Sequence, residues 1–478
     1  MMRGRQAGRN FLEETANPTV PSQTLAPGDA PRLRVGGEFR GLRVHSLLGE
    51  GSMGAAYLAS HPILQMPLVV KVFRSEEEEN IFREAHLAAR VTSPNVVSVL
   101  DAGYEAGVAF IIQRYIDGID LAELVNHLQH AEWRLPANMI CRIMIDAAKG
   151  LHAIHQAGVI HRDVKPANLF LCGSGIATVG DFGVALDLLQ EDHTQLGAGT
   201  PRFMAPEQWE RKKLGRYTDI YALGATAHLL ATKEYPFEDE RLDELREAHV
   251  RRSYQPPIAD GPSEAYLFSV IERALRKRPE ERFSNAGELA RVLKVVAEPL
   301  PQIVCTGADE ARIGRLRLEL LAGDLAEQAG DVIVNAANQQ LTMRLGVASA
   351  LRRAGGQELE DEAVSRAPVA MGDVVWTGAG RLRARFVAHA VAAVEGAVCL
   401  QRACLRVLLQ AEVRRAQSVL FPALGTGVGD VPMDLAAKLI LEATRTFAAL
   451  QPAHVSQVRI VLYDERSRAR WRTVMHSM

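Results

Sequence analysis

"HRDVKPANLF", His161 to Phe170, followed by "DFG" at Asp181 to Gly183, is the stretch on which the reading of this chain turns. An aspartate, a lysine and an asparagine within six positions, with a second aspartate shortly after, supply one chemistry in full. Asp163 can accept the proton of an attacking hydroxyl, and Lys165 can steady a phosphoryl group in transit. Asn168 and Asp181 offer oxygen ligands for a hard divalent cation such as Mg²⁺, with Mn²⁺ as a substitute. The cation is needed because charge spreads over the phosphoryl oxygens in the transition state.

Working outward, "GEGSMG" (Gly49 to Gly54) lies between two strand-like runs. A glycine turn alone explains little, but glycines here let the main chain close over phosphates without a clashing Cβ. Lys71 sits on the apolar run "LVVKVF", where burial demands a partner, and Glu84 in "FREAHLAAR" is placed to provide one. Taken singly, each of these two also reads as an ordinary strand lysine or helix glutamate. Downstream comes "GTPRFMAPEQW", and "MICRIMIDAAKGLHAIHQAG" has the apolar spacing of a buried helix.

In this order the motifs resemble the eukaryotic-like serine/threonine protein kinases of bacteria, over roughly residues 38–297. The resemblance implies an α+β bilobal kinase fold, ATP as donor and protein Ser/Thr hydroxyls as acceptors. It places Leu48, Gly49, Gly51, Gly54 and Lys71 around the nucleotide, the backbone of Arg114 and Ile116 at adenine, and Asp120 at the ribose. It makes Thr200 the residue that steadies Asp163 and Lys165, pairs Glu207 with Arg282, and has Asp219 brace the catalytic loop. Arg162 before the catalytic aspartate implies control by phosphorylation, with Thr194 as the acceptor. Departures are Ala56 where the family has valine over adenine, Gln113 at the gatekeeper and Arg114 for a glutamate.

The second half alternates strands ("RLRLELLAGDL", "DVIVNAAN", "ARFVAHAVAAV", "SVLFPALGTGVGD") with helices ("ASALRRAGGQELEDEAVSR", "LAAKLILEATRTFAAL"). That alternation implies an α/β layered domain. Glycine turns at Gly346 and Gly425 to Gly429 can present backbone N–H groups to a diphosphate at the strand ends. Asp324 can accept from an exocyclic amine, and Asn335 and Asn338 can reach ribose hydroxyls. Turns and caps of an ordinary α/β domain account for the same residues equally well.

"GDL…DVIVNAAN…GVASAL…RAGG…HAV…FPALGTGVG" is similar, motif by motif, to the macrodomain family over residues 313–478. That likeness implies a three-layer α/β fold and ADP-ribose as ligand, free or on proteins. Asp324 and Leu325 would lie at adenine and Asn335 and Asn338 at the distal ribose. Gly346, Val347 and Ala348 would form the first loop, and Gly425, Thr426, Gly427, Val428 and Gly429 the diphosphate cradle. Hydrolytic members have a carboxylate where this chain has Ala348, and a glycine run where it has Arg344 and Leu345. Holding the ligand is therefore expected over cutting it; a bifunctional kinase and ADP-ribosyl hydrolase, or a weakly catalytic scaffold, are the other readings.

With 478 residues, a net charge of −2 and 47% hydrophobic residues, the chain suits two globular domains and no dedicated nucleic-acid surface. Five scattered cysteines argue against a disulfide framework. No apolar run reaches the roughly 20 residues of a membrane span, and the arginine-rich start lacks a signal-type apolar core, so a cytoplasmic protein is expected. Residues 1–37 read as a disordered tail and 298–312, with two prolines, as a linker.

Overall fold

A computed structural model describes residues 32–50, 54–73, 85–105, 108–131, 133–181, 186–187, 200–394, 397–427 and 429–478. Strands β1 (Glu38–Phe39), β2 (Leu42–Glu50), β3 (Gly54–Ser60), β4 (Pro67–Phe73), β5 (Val99–Glu105) and β6 (Val108–Arg114) make an antiparallel sheet in the order β1-β2-β3-β4-β6-β5. Alternation drives it: Leu42, Val44, Tyr57, Val70, Val72, Phe110 and Ile112 share one buried cluster. Gly54 (φ +157°) is needed at the start of β3, because a Cβ there would lie 2.0 Å from the Val72 carbonyl oxygen.

The second lobe is mainly helical. It contains α1 (Leu121–Gln129), α2 (Ala137–Gln156), α3 (Pro206–Trp209), α4 (Arg216–Thr232), α5 (Leu242–Arg251), α6 (Pro262–Ala274) and α7 (Ala286–Leu293). The helix expected around Met139 is α2; α4 is buried along almost its whole length and forms the lobe's axis. Short strands β7 (Gly118–Asp120), β9 (Leu169–Cys172) and β10 (Ala177–Val179) pair in the order β10-β9-β7, and β8 (Val159–Ile160) pairs with β11 (Leu186–Asp187). They carry the loop Asp163–Asn168 between β8 and β9.

The rest of the chain builds on one large sheet. Its strands are β12 (Ile303–Cys305), β13 (Glu310–Ile313), β14 (Leu316–Ala322), β15 (Val332–Ala336), β16 (Val374–Gly378), β17 (Phe386–Ala390), β20 (Ser418–Phe421) and β21 (Gln457–Leu462), in the order β12-β13-β14-β21-β20-β15-β17-β16. The strands from β14 through β17 in that order run parallel, so their C-terminal ends meet at one edge. A small hairpin, β18 (Ala393–Val394) with β19 (Ala397–Val398), follows β17. The helices are α8 (Gly346–Gly355), α9 (Gln357–Val364), α10 (Leu400–Val413), α11 (Met433–Ala449) and α12 (Glu465–Ser477). Inside this domain the buried Glu412 carboxylate accepts the N–H groups of Ala453, His454 and Val455 at 2.7–2.9 Å, closing an otherwise unpaired turn.

Two expectations need correction. The stretch 298–312 is not a free connector: after Pro301 it forms β12 and most of β13, with Ala311 and Ile313 fully buried, and Leu300 packs into the core. Its strands are short, so alternation shows over only three or four residues. The helix expected from Ala348 to Arg366 is two helices, broken at Gly356 in a positive-φ conformation (φ +111°). The expected tail falls almost wholly outside the described residues. Among the described residues no helix is long and apolar enough to cross a membrane, and all five cysteines are free.

The two halves share a core. Trp133 packs edge-on against Phe447 and donates its indole N–H to the Leu450 carbonyl at 2.9 Å, and Thr446 donates to the Gly173 carbonyl at 2.6 Å.

Three buried histidines make the fold sensitive to acid. Burial pushes His228 and His389 down to about 4, and burial with the nearby Lys277 ammonium pushes His249 down to about 3. An unfolded histidine titrates near 6.5, so below that pH the unfolded chain takes up protons that the folded chain refuses. This stability is present above about pH 6.5 and is lost as pH falls toward about 4, on the order of 2 kcal/mol per histidine by about pH 5. Asp117, which burial raises to about 6, works in the opposite sense over the same range. The histidine contribution is therefore read from His228→Gln, whose urea midpoint should fall less than that of the parent between about pH 7 and about pH 5.

Candidate active site and nucleotide pocket

The loop carrying Asp163 is held from below. Asp219 on α4, wholly buried, accepts the N–H of His161 at 2.9 Å and of Arg162 at 2.8 Å, with His155 Nε2 at 2.7 Å. Burial alone would raise its carboxyl, but the bonds from His155 and His161 hold it below the usual carboxylate range. Arg162 sits at φ +71° and Asp181 at φ +63°, a region that side-chain-bearing residues avoid. The Asp219 bond to the Arg162 N–H and the Gln208 amide bond to its carbonyl (3.0 Å) keep Arg162 there.

Asp163 is engaged on both carboxylate oxygens. Oδ1 accepts the Thr200 N–H at 3.0 Å and hydroxyl at 3.1 Å, while Oδ2 lies 2.6 Å from Lys165 Nζ. Lys165 also donates to Thr200 Oγ1 at 2.9 Å, so the three side chains form a closed triangle. Asn168 donates to the Asp163 carbonyl at 2.8 Å, which leaves its own carbonyl oxygen for a cation. Lys71 Nζ reaches Asp181 Oδ1 at 3.3 Å, tying β4 to the start of the "DFG" segment. Asn168 and Asp181 together offer oxygen donors only, a set that fits Mg²⁺.

Leu48 and Gly49 lie near the end of β2, where its register to β3 shifts, and Arg114 and Ile116 lead out of β6 toward β7. Asp120, expected at the ribose, caps α1 by accepting the Glu123 N–H at 2.9 Å, so one of its oxygens is already engaged. Glu207 and Arg282 form a two-pronged pair at 2.7 and 2.8 Å, joined by the Thr218 hydroxyl and with Arg282 also bonded to three carbonyls. Gly51, Glu84, Thr194 and Val428 lie outside the described residues.

At the shared edge of the parallel strands the second set of residues gathers. Asp324 follows β14, exposed, and accepts the Ala326 N–H at 2.9 Å; Leu325 beside it is buried. Gly346 (φ +54°) begins α8, so Gly346, Val347 and Ala348 form the first turn of a helix rather than a free loop. Its leading N–H groups have no side-chain cap, which suits an anion. Gly425 (φ +79°) accepts the Val431 N–H, Thr426 caps back onto Ala423 and Gly427 accepts from Asp430, giving a tight turn after β20 within which Gly429 lies. Asn338 bonds Thr342 on both sides and shapes the turn before Met343.

Asn335 departs from expectation. It is buried and donates to His389 Nδ1 at 3.1 Å, with His389 Nε2 facing Thr377 Oγ1 at 2.9 Å. Its Nδ2 is therefore tied to the neighbouring strand β17 at the strand end, and only its amide oxygen is left to present. Its Oδ1 has no hydrogen-bond partner among the described residues. Sequence reasoning also missed Tyr463, 91% exposed just past β21 and next to the Gly323–Asp324 turn, where Gly323 N–H bonds the Leu462 carbonyl. An aromatic ending the apolar run "VRIVLY" was the available signal.

A two-lobed fold with this aspartate, lysine and asparagine loop is that of a protein kinase, and a separate α/β domain follows it. The chain belongs to the protein kinase family: the family model described as Protein kinase domain matches residues 42–295, and the one described as Macro domain matches residues 334–440. Serine/threonine-protein kinase PknH of Mycobacterium bovis is 33% identical over 271 residues, covering 55% of this chain and 45% of its own length. PknB of Mycobacterium leprae is 32% identical over 283 residues, covering 55% and 45%. PknB of Mycobacterium tuberculosis is 33% identical over 259 residues, covering 51% and 41%. The chain thus spans less than half the length of these curated relatives.

The triangle of Asp163, Lys165 and Thr200 is testable by one hydroxyl. Thr200→Ser keeps both bonds and should retain most phosphoryl transfer, while Thr200→Val removes them and should lower kcat by about 10–100-fold, the equivalent of one or two charged hydrogen bonds. Equal rates for the two variants in a radiolabel assay would refute the assignment.

Proposed function

We propose that this chain transfers the γ-phosphoryl group of ATP to serine or threonine hydroxyls of protein substrates, its own included. The observation that carries the reading is the engagement of both Asp163 oxygens by Thr200 and Lys165. It aims the carboxylate at an incoming hydroxyl and sets a cation where phosphoryl charge develops. Mg²⁺ held by Asn168 and Asp181 would neutralise the phosphate oxygens. The residues then divide the work. Asp163 accepts the hydroxyl proton, Lys165 steadies the transferring group, and Lys71, fixed against Asp181, positions the donor phosphates. Gly49 and Gly54, with Gly51, close the main chain over them. Phosphorylation at Thr194 would pair with Arg162 and regulate the segment.

The second domain holds ADP-ribose, free or attached to proteins. Asp324 and the exposed Tyr463 ring offer an amine acceptor and a stacking face for adenine. The uncapped start of α8 and the Gly425–Gly429 turn offer N–H groups to the diphosphate, and Asn338 borders the distal ribose. The unpartnered Asn335 Oδ1 calls for a donor at the strand end, which a water or ribose hydroxyl would provide. Binding is favoured over cleavage because the step after Val347 is Ala348, apolar and buried inside α8.

Asp163→Ala should reduce label transfer by roughly 10²–10⁴-fold, as removal of a general base does. In calorimetry on the full chain, Asp324→Ala should weaken ADP-ribose binding by about 10–100-fold, the loss of one hydrogen bond to a charged group. Tyr463→Ala should weaken it as well and Tyr463→Phe should not. Undiminished affinity in Asp324→Ala would remove the adenine assignment.

A further inference from the structure

The joint between the two domains falls on the backbone segment that the kinase uses for adenine. Between Ile116 and Gly118 the chain carries Asp117, whose carboxylate accepts the N–H groups of Gln401 (2.9 Å) and Arg402 (2.8 Å) at the start of α10. α10 has no acidic residue in its first turn and its own leading residue, Cys399, makes no side-chain cap. A kinase residue some 284 positions earlier therefore caps a helix of the other domain. Arg402 returns a bond to the Gly118 carbonyl (3.3 Å). One turn on, Arg406 forks onto Glu123 at 2.6 and 2.8 Å and pairs with Asp373. Burial raises the Asp117 carboxyl to about 6 despite the N–H bonds that oppose the rise.

The apolar contact lies in the same place. Leu58 of β3, Val69 of β4 and Tyr115 form one buried cluster with Leu341, Met371 and Val391, and Leu48 and Ala56 pack against it. Leu48 and Ala56 are the residues placed over adenine. On the other side, Leu341 belongs to the turn that Asn338 shapes, and Val391 follows the end of β17 at the ligand edge. A polar tie joins the same pieces, because Gln339 donates to the His45 carbonyl of β2 at 3.1 Å, upstream of the glycine turn that covers phosphates. One block of side chains thus joins the residues placed over adenine to the turn and the strand end at the edge of the second sheet.

We propose that the two pockets are thermodynamically coupled through this block, ADP-ribose in the second domain tightening ATP in the first, with Asp117 and Gln339 as the positioning residues. The proposal rests on the reading that the second domain binds ADP-ribose. The sign follows from shared ordering. ADP-ribose fixes the Asn338–Met343 turn and the β17 end, the nucleotide fixes Leu48, Ala56 and the hinge, and whichever arrives second finds the common block already ordered. Linkage makes the effect reciprocal.

The test is calorimetry on the full chain, with ADP-ribose titrated with and without saturating Mg–AMP-PNP, and AMP-PNP titrated with and without saturating ADP-ribose. The expected result is a tightening of about fivefold or more, equal in both directions. It should shrink to within about twofold in Gln339→Ala and in Asp117→Asn while both ligands still bind. Gln339→Ala removes a single bond at a part-exposed position, so it serves if Asp117→Asn does not fold. ADP-ribose binding that is indifferent to AMP-PNP, or weakened by it, would overturn the coupling and leave the binding reading standing. Full coupling in Gln339→Ala and Asp117→Asn would overturn the joint as its route. No ADP-ribose heat in any titration would overturn the binding reading and the coupling with it.

Discussion

Asp219 contributes no atom to chemistry, yet the catalytic loop depends on it. A loop that must hold Arg162 at positive φ has two N–H groups pointing into a dry interior, where water cannot satisfy them. One carboxylate accepts both, and a buried histidine keeps that carboxylate ionised. With the backbone so pinned, Asp163 and Asn168 emerge on the cleft side, and Thr200 and Lys165 can close their triangle. Strain at the loop and the buried anion beneath it are two parts of one device. Glu207 and Arg282 do comparable work for the segment after Thr200, in a pair whose remaining donors are all matched to carbonyls, which is what makes its burial tolerable.

The joint between domains follows the same logic at larger scale. A helix start needs an acceptor for its free N–H groups, and α10 takes it from Asp117 rather than from its own sequence. A short exposed tether would leave the two halves free to reorient. Here Trp133, Thr446, Arg406 and the cluster around Tyr115 instead extend the packed interior from one domain into the other. The strands at Ile303–Ile313, which extend the second sheet, leave little free chain between the two folds.

Much was legible beforehand because it is local. "HRDVKPANLF" keeps its chemistry within ten residues, so Asp163, Lys165 and Asn168 could be named with their partners Thr200 and Asp181. The parallel strands of the second domain announced themselves as apolar runs ending in glycine turns. What stayed hidden depended on distance or orientation. Asn335 and Asn338 look alike in "NAAN", but three positions along a strand end separate a buried amide from one at the turn. Tyr463 lies about 140 residues from Asp324, and only the parallel pairing of β14 with β21 brings them side by side.

By itself, then, the sequence determined that the chain holds a protein kinase domain followed by an α/β macrodomain. Motif spacing and apolar periodicity are short-range properties written directly in residue order. Tertiary structure alone decided that Asp120 caps a helix, that Asn335 is tied to β17, and that Asp117 of one domain closes a helix of the other. Those outcomes depend on which unpaired N–H or carbonyl is nearest once the chain has packed, and the partners there stand tens to hundreds of residues apart.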